Sequence, residues 1–322
     1  FSLEKIATVP RYFGVLAILM LLVGGGVTLG LEVLNMHMLS LVAGNSVYAF
    51  GLMLSTFLLG LGMGSSASDY LLKKLEKSTV MIFAQLGIGI SIVASTFVWD
   101  GISTYFGDLG AANAAYDVHI SFAGRELIRG LVCAIAMMPA AFFIGLSYPP
   151  TISMATDWLG KNNSVKGFGI ASGINTVGNI SGVLFVGFWL LPIFGSLSLY
   201  VGMFFVVGIF IILLLIGKFM YEGDAGLRSS SSFLITLMGG SILLIFTAFF
   251  IFPKNWNYEA LSSGSNVYFK SQSWGEIIEH LESSEGGFSM VAESSTDNSK
   301  EKMLTLLTNG KFQGNNVIGG EM

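Results

Sequence analysis

The sequence predicts an all-α integral membrane bundle of about seven transmembrane helices over residues 1–252, followed by a small β-rich extramembrane segment over residues 253–322. Three observations carry that prediction. Of the 322 residues, 53% are hydrophobic and only 11% are charged, whereas a soluble domain carries about a quarter charged residues. Apolar stretches of about 20 residues, the length that crosses a bilayer, recur roughly at 12–33, 46–66, 79–99, 127–151, 168–194, 196–217 and 233–252. Charge is segregated, with 9 of the 20 acidic residues after Pro253. Lipid is therefore the main solvent, and nucleic acid is not an expected partner.

The first apolar run continues to about residue 43, and its extension holds Glu32, Asn35 and His37. The helix there tilts, breaks or ends in an interfacial segment. An ionisable group at membrane depth costs about 2.5–3.5 kcal/mol at a helix centre, which makes Glu32 a functional candidate. The plainer alternative puts Glu32 at the end of its span, hydrated or paired with Asn35 or His37. Glu32 and His37 are five apart and point in different directions on a helix, so a relay between them is not expected. In the second span, Gly60, Gly62 and Gly64 form a packing stripe. Residues 100–124, the longest connection, are acidic and aromatic; they read as an external loop that caps the bundle or meets a partner or, on the plainer reading, as an ordered loop without chemistry. The fourth span carries Pro139, Pro149 and Pro150, each expected to kink it. It also holds Cys133, the single cysteine, which reads as a small buried hydrophobe.

Residues 167–195 are the expected centre of the bundle. Helices in lipid associate through close backbone approach and inter-helix hydrogen bonds. Gly169 with Gly173, and Gly178 with Gly182, have the small-xxx-small spacing that permits such approach. Asn175 and Asn179 lie four apart on one face. They are intramembrane polar candidates that bind a polar substrate near the midplane or satisfy a neighbouring backbone.

Basic residues assign the sides. Lys5, Arg11, Lys73, Lys74, Lys77, Lys161, Lys166, Lys218 and Arg228 fall in the N-terminal arm and in alternate connections, and the other connections hold only Arg125 and Arg129. The bias predicts a cytoplasmic N-terminus and, with seven spans, an extracytoplasmic tail. In that tail, residues 267–270, 288–293 and 303–308 read as strands and residues 274–281 as a helical turn. Glu276, Glu279, Glu282 and Glu285 would then form a solvated acidic face that a polyamine or basic partner could use. His37, His119 and His280 are scattered without ligand spacing, so no metal is expected. No nucleophile motif, phosphate loop or dinucleotide fingerprint occurs, and no catalytic residue or cofactor is assigned. The absent initiator Met and the abrupt end at Met322 lead us to expect a longer parent chain.

Three segments carry a family resemblance. Residues 30–66 place Glu32 before an apolar stretch, a Gly-Ser-type turn, Tyr48-Ala49-Phe50 and the glycine-rich Phe57-Leu58-Leu59-Gly60. Ile144-Gly145-Leu146-Ser147-Tyr148-Pro149 follows in the fourth span, and Asn175-Thr176-x-Gly178 with Leu190-Leu191-Pro192 and Gly195 in the fifth. In this order they resemble the membrane domain of bacterial fused membrane/spermidine synthase-like proteins. Residues 306–314, LLTNGKFQG, are similar to the hairpin that precedes the nucleotide-binding-like domain of polyamine aminopropyltransferases. Asn309 stands where Asp is usual, and Gln313 matches the Gln bordering the polyamine cleft. The resemblance implies substrate contact at Asn309 and Gln313 and a bacterial inner-membrane location. It also implies that the catalytic loops would lie beyond residue 322. The expected function is a membrane scaffold or accessory subunit working with other membrane subunits. The alternatives are an anchored aminopropyltransferase-type enzyme and a transporter of a small cation or polyamine.

Overall fold

The computed structural model describes residues 9–116, 121–161, 163–222, 239–240, 242, 246–247, 250–264, 272–283, 287–295 and 302–317. Among the described residues, five helices are long and apolar enough to cross a membrane: Arg11–Leu41, Val47–Leu72, Lys77–Trp99, Phe122–Leu159 and Ser164–Tyr221. A small antiparallel sheet follows them. Most of residues 233–252, the last apolar stretch, lie outside the described residues, as does the strand expected at 267–270.

The first long helix comprises α1 (Arg11–Leu19), a π-helical turn at Met20–Gly24 and α2 (Gly25–Ala43). It runs through Glu32, Asn35 and His37 and ends at Gly44, whose φ of 90° is open to glycine. Ser46 accepts from the Ala49 amide at 3.1 Å and so caps α3 (Val47–Leu72). Next comes α4 (Lys77–Tyr116), with 40 residues. It corrects the expected loop at 100–124: the helix continues past the apolar stretch, and at 1.5 Å per residue its roughly 60 Å exceed the bilayer core. Ser121 caps α5 (Phe122–Leu159), which holds all three prolines within one helix. Asn163 caps α6 (Ser164–Leu184), and a second π-helical turn (Phe185–Leu190) leads into α7 (Leu191–Glu222). Gly195 breaks α7 with φ 74° and ψ 163°, dividing the apolar stretch Ser164–Tyr221 in two.

Glycines set the closest packing. A Cβ on Gly60 would stand 2.7 Å from that of Ala141, and one on Gly64 would overlap the Phe142 carbonyl oxygen. Gly145 answers from α5 against the Leu61 carbonyl, so α3 and α5 touch backbone to backbone. Gly178 and Gly182 of α6 press likewise on the carbonyls of Leu22 and Gly26. Gly169 and Gly173 do not share this role: a Cβ on either meets nothing within 4 Å, and both are exposed. Gly62 is also open.

The bundle has two distinct ends. At one, Lys77 bonds Asp157 at 2.7 Å and Ser153 at 2.8 Å, the buried Lys218 meets Glu76 and Ser78, and the Tyr12 hydroxyl donates to the Leu213 carbonyl. The opposite end receives a short helix, α8 (Tyr258–Ser262), and the sheet. The strands β1 (Glu276–Ser283), β2 (Gly287–Ser295), β3 (Lys302–Thr308) and β4 (Lys311–Asn315) form an antiparallel meander in the order β1-β2-β3-β4. Phe288, Met290, Ala292 and Leu307 are its buried apolar side chains, and Glu282 and Thr305 are buried with them. The helical turn expected at 274–281 is instead largely β1, so Glu276, Glu279 and Glu282 do not form a helical face, and Glu285 lies outside the described residues. Asn309 and Gly310, with φ of 50° and 72°, make the two-residue turn between β3 and β4.

Candidate functional site

Two constructions in the described residues place polar groups where burial makes them costly. One is the seam between sheet and bundle. Glu282 of β1 is only 7% exposed, and its Oε2 accepts from the Ser196 amide at 2.9 Å and lies 3.1 Å from Nε2 of His37. The break at Gly195 frees the Ser196 amide, and a side chain at Gly195 would crowd the other oxygen of Glu282 at 3.2 Å. Around this carboxylate, Trp256 Nε1 donates to Ser196 Oγ at 2.9 Å, Tyr200 donates to Asn35 Oδ1 at 2.7 Å, and the Phe288 ring lies 4.8 Å from the His37 ring. Tyr258 stacks on His280 at 4.0 Å. Burial, and then the Glu282 carboxylate, hold the Tyr258 hydroxyl above its ordinary pKa. The folded chain thus keeps a proton that an unfolded chain releases. The associated stability is complete below the ordinary tyrosine value and is lost as pH rises through the folded one.

The second construction is a cavity of about 380 Å³ in the bundle, lined from the π turn that follows α1 and from α2, α3, α4, α5, α6 and α7. Most of the lining residues lie roughly 10–25 Å along their helices from the Lys77 and Lys218 end, at 1.5 Å per residue. The cavity thus lies part-way along the helices, away from that end of the bundle. Its polar groups are Thr28, Ser65, Gln85, Ser147, Tyr148, Thr151, Asn175 and Asn179, and among the described residues no acidic or basic one lines it.

The predicted residues divide between these places. Asn175 and Asn179 come together on the cavity wall, as their spacing predicts. Glu32 is half-buried on α2 and does not line the cavity. Its expected partners are engaged elsewhere, Asn35 with Tyr200 and His37 with Glu282. Glu282, expected on a solvated face, is buried. Asn309 is also buried, at 6% exposure; its Oδ1 accepts from the Phe288 amide at 3.0 Å and its own amide donates to the Phe288 carbonyl at 2.8 Å. These bonds join the turn to β2, so the position serves the hairpin. Gln313 is exposed on β4, and neither it nor Asn309 lines the cavity. Replacing Asn309 with Ala leaves the buried Phe288 amide without its side-chain acceptor. A loss of about 1–2 kcal/mol is expected in thermal unfolding, on top of backbone strain at positive φ.

Sequence reasoning missed the seam. His37 and Glu282 are 245 residues apart, and no local pattern joins them. His37 stands in a largely apolar run and Glu282 among other glutamates of a polar tail, so neither position signalled the pairing. Fold and site together define an apolar helical bundle, compatible with a membrane protein, with a small sheet locked to one end. A scan against protein-family models, a search of curated proteins and a search of solved structures each found no match.

Proposed function

We infer that this chain is a spermidine synthase-like membrane protein of seven spans, seated in a bacterial inner membrane with its N-terminus cytoplasmic, that acts as a scaffold or accessory subunit. Its bundle holds the sheet in one fixed orientation on the extracytoplasmic side, where other membrane subunits can engage it. The observation that carries this reading is Glu282: a carboxylate buried on His37 and the Ser196 amide. Desolvating a carboxylate costs several kcal/mol, so such a contact contributes orientation more than net stability. The break at Gly195 supports two spans within 164–221, and the alternation of basic residues supports the sidedness. Against a cation or polyamine carrier stands the uncharged lining of the cavity, since a cation at membrane depth needs a counter-charge or dense coordination.

Extraction from native membranes in mild detergent, followed by native mass measurement, tests this reading. Association with another membrane subunit is expected, and a Glu282→Ala chain should lose that subunit while its helical content persists. A chain that stays monomeric and alone overturns the scaffold reading.

A further inference from the structure

We propose that the cavity is a binding site for a small, uncharged molecule with an amide or hydroxyl donor at one end and an apolar body. This site is separate from the seam and does not depend on the scaffold reading. Asn179 supplies the central observation: its Oδ1 is buried and has no hydrogen-bond partner among the described residues. A buried acceptor left unmade costs about 1–3 kcal/mol, and native structures contain few of them. The residue that faces it across the helix contact is Gly25. A Cβ there would stand 2.9 Å from Asn179 Oδ1 and 3.1 Å from Asn175 Oδ1, so both asparagine oxygens converge on one point at the wall. Only the missing side chain of Gly25 gives them that room.

The helix opposite is adapted at the same level. Met20, Leu21 and Gly24 belong to the π-helical turn and line the cavity. Such a turn widens the helix by one residue and recurs at functional positions in helices. Several other hydroxyl and amide groups of the lining are already committed. Thr28 donates to the Gly24 carbonyl at 2.8 Å, Thr151 to the Ser147 carbonyl at 2.7 Å, and Gln85 Nε2 to Ser147 Oγ at 3.1 Å. What the site presents to a guest is therefore the asparagine acceptor pair, the hydroxyls of Ser65 and Tyr148, and an apolar wall that includes Leu61, Ile88, Ile144, Val207 and Phe210.

The chemistry of the guest follows from that division. Two amide oxygens call for N–H or O–H donors. Among the described residues the lining holds no acidic side chain, which speaks against a polyamine, since its several positive charges would meet no carboxylate there. The volume, about 380 Å³, falls within the range of small-molecule pockets, which are largely apolar with a few placed polar groups. Benzamide matches this description, with a primary amide on an apolar ring. Benzylammonium has a similar shape with a positive charge, and putrescine is the polyamine comparison.

The test measures thermal unfolding of the purified full chain in mild detergent, with each probe at millimolar concentration, for the parent and for Asn179→Leu. A ligand that binds only the folded state raises the Tm. Benzamide should raise that of the parent by a few degrees, and benzylammonium and putrescine should not. Asn179→Leu, close to isosteric but apolar, should abolish the benzamide shift and leave the probe-free Tm equal or higher, because it removes the orphaned oxygen. No benzamide shift in the parent, an equal shift in the variant, or a larger shift with either amine overturns the proposal. So does a probe-free variant that is markedly less stable, which would make the oxygen a structural group. Native mass spectrometry of the parent as purified separates a solute from a lipid. A bound species of small-molecule mass that disappears in Asn179→Leu supports the site, and one of phospholipid mass that disappears contradicts it.

Discussion

Gly64→Ala is expected to separate α3 from α5 and to cost about 3 kcal/mol or more, near the upper end for overpacking. The added Cβ would overlap the Phe142 carbonyl oxygen, which is backbone within a helix and has no rotamer to escape into. The Leu146 amide, at 2.8 Å, blocks the other direction. Two helices already touching through Gly60, Gly64 and Gly145 can relieve this only by moving apart. In lipid, that forfeits the close contact on which their association depends. Gly51→Ala is the control on the same helix: nothing lies within 4 Å of its Cβ position, so a neutral or slightly stabilising effect is expected. Thermal unfolding in mild detergent distinguishes the two. Equal stability of both variants would mean that α3 and α5 are not in backbone contact.

The second large effect is expected at Glu282. Glu282→Ala removes the acceptor of the Ser196 amide and the partner of His37, leaving both in a dry seam. Removing one member of such a buried arrangement costs about 3–5 kcal/mol. That loss should appear as release of the sheet, because the helix contacts of the bundle do not pass through this residue. Limited proteolysis should cut the tail of Glu282→Ala while the apolar core stays protected. Glu282→Gln keeps an oxygen for the Ser196 amide and should be cut more slowly. A tail in Glu282→Ala as resistant as that of the parent would show that the seam rests on other contacts.

The apolar bundle and part of its packing were legible in the sequence because lipid imposes simple rules. Long apolar runs become helices, and glycines four apart permit backbone contact, as Gly60 with Gly64 and Gly178 with Gly182 do. The same spacing at Gly169 and Gly173 leads to an exposed face, since spacing alone does not say which side of a helix has a neighbour. Asn175 and Asn179 were legible as a pair. Their convergence on Gly25 was not, because it depends on the π turn of another helix. β1 was misread for a definite reason: glutamates at 276, 279, 282 and 285 fit helical spacing, and the burial of β1 does not alternate clearly. Only pairing with β2 and burial of Glu282 against the bundle decide the matter, and both are contacts distant in sequence. The helical course of residues 100–116 was hidden because their polarity marks departure from lipid, which a helix can make without ending.

The attachment of the C-terminal segment to the end of the bundle is the central claim, and one pair of serines reports on it without touching Glu282. Ser103 of α4 and Ser263, just after α8, have their hydroxyl oxygens 2.9 Å apart. In a Cys133→Ala background, Ser103→Cys with Ser263→Cys should form an intramolecular disulfide on mild oxidation of intact membranes. It would appear as a change in electrophoretic mobility that reductant reverses. Two cysteines that both react with maleimide and yet do not join would contradict the docked arrangement and the scaffold reading built on it.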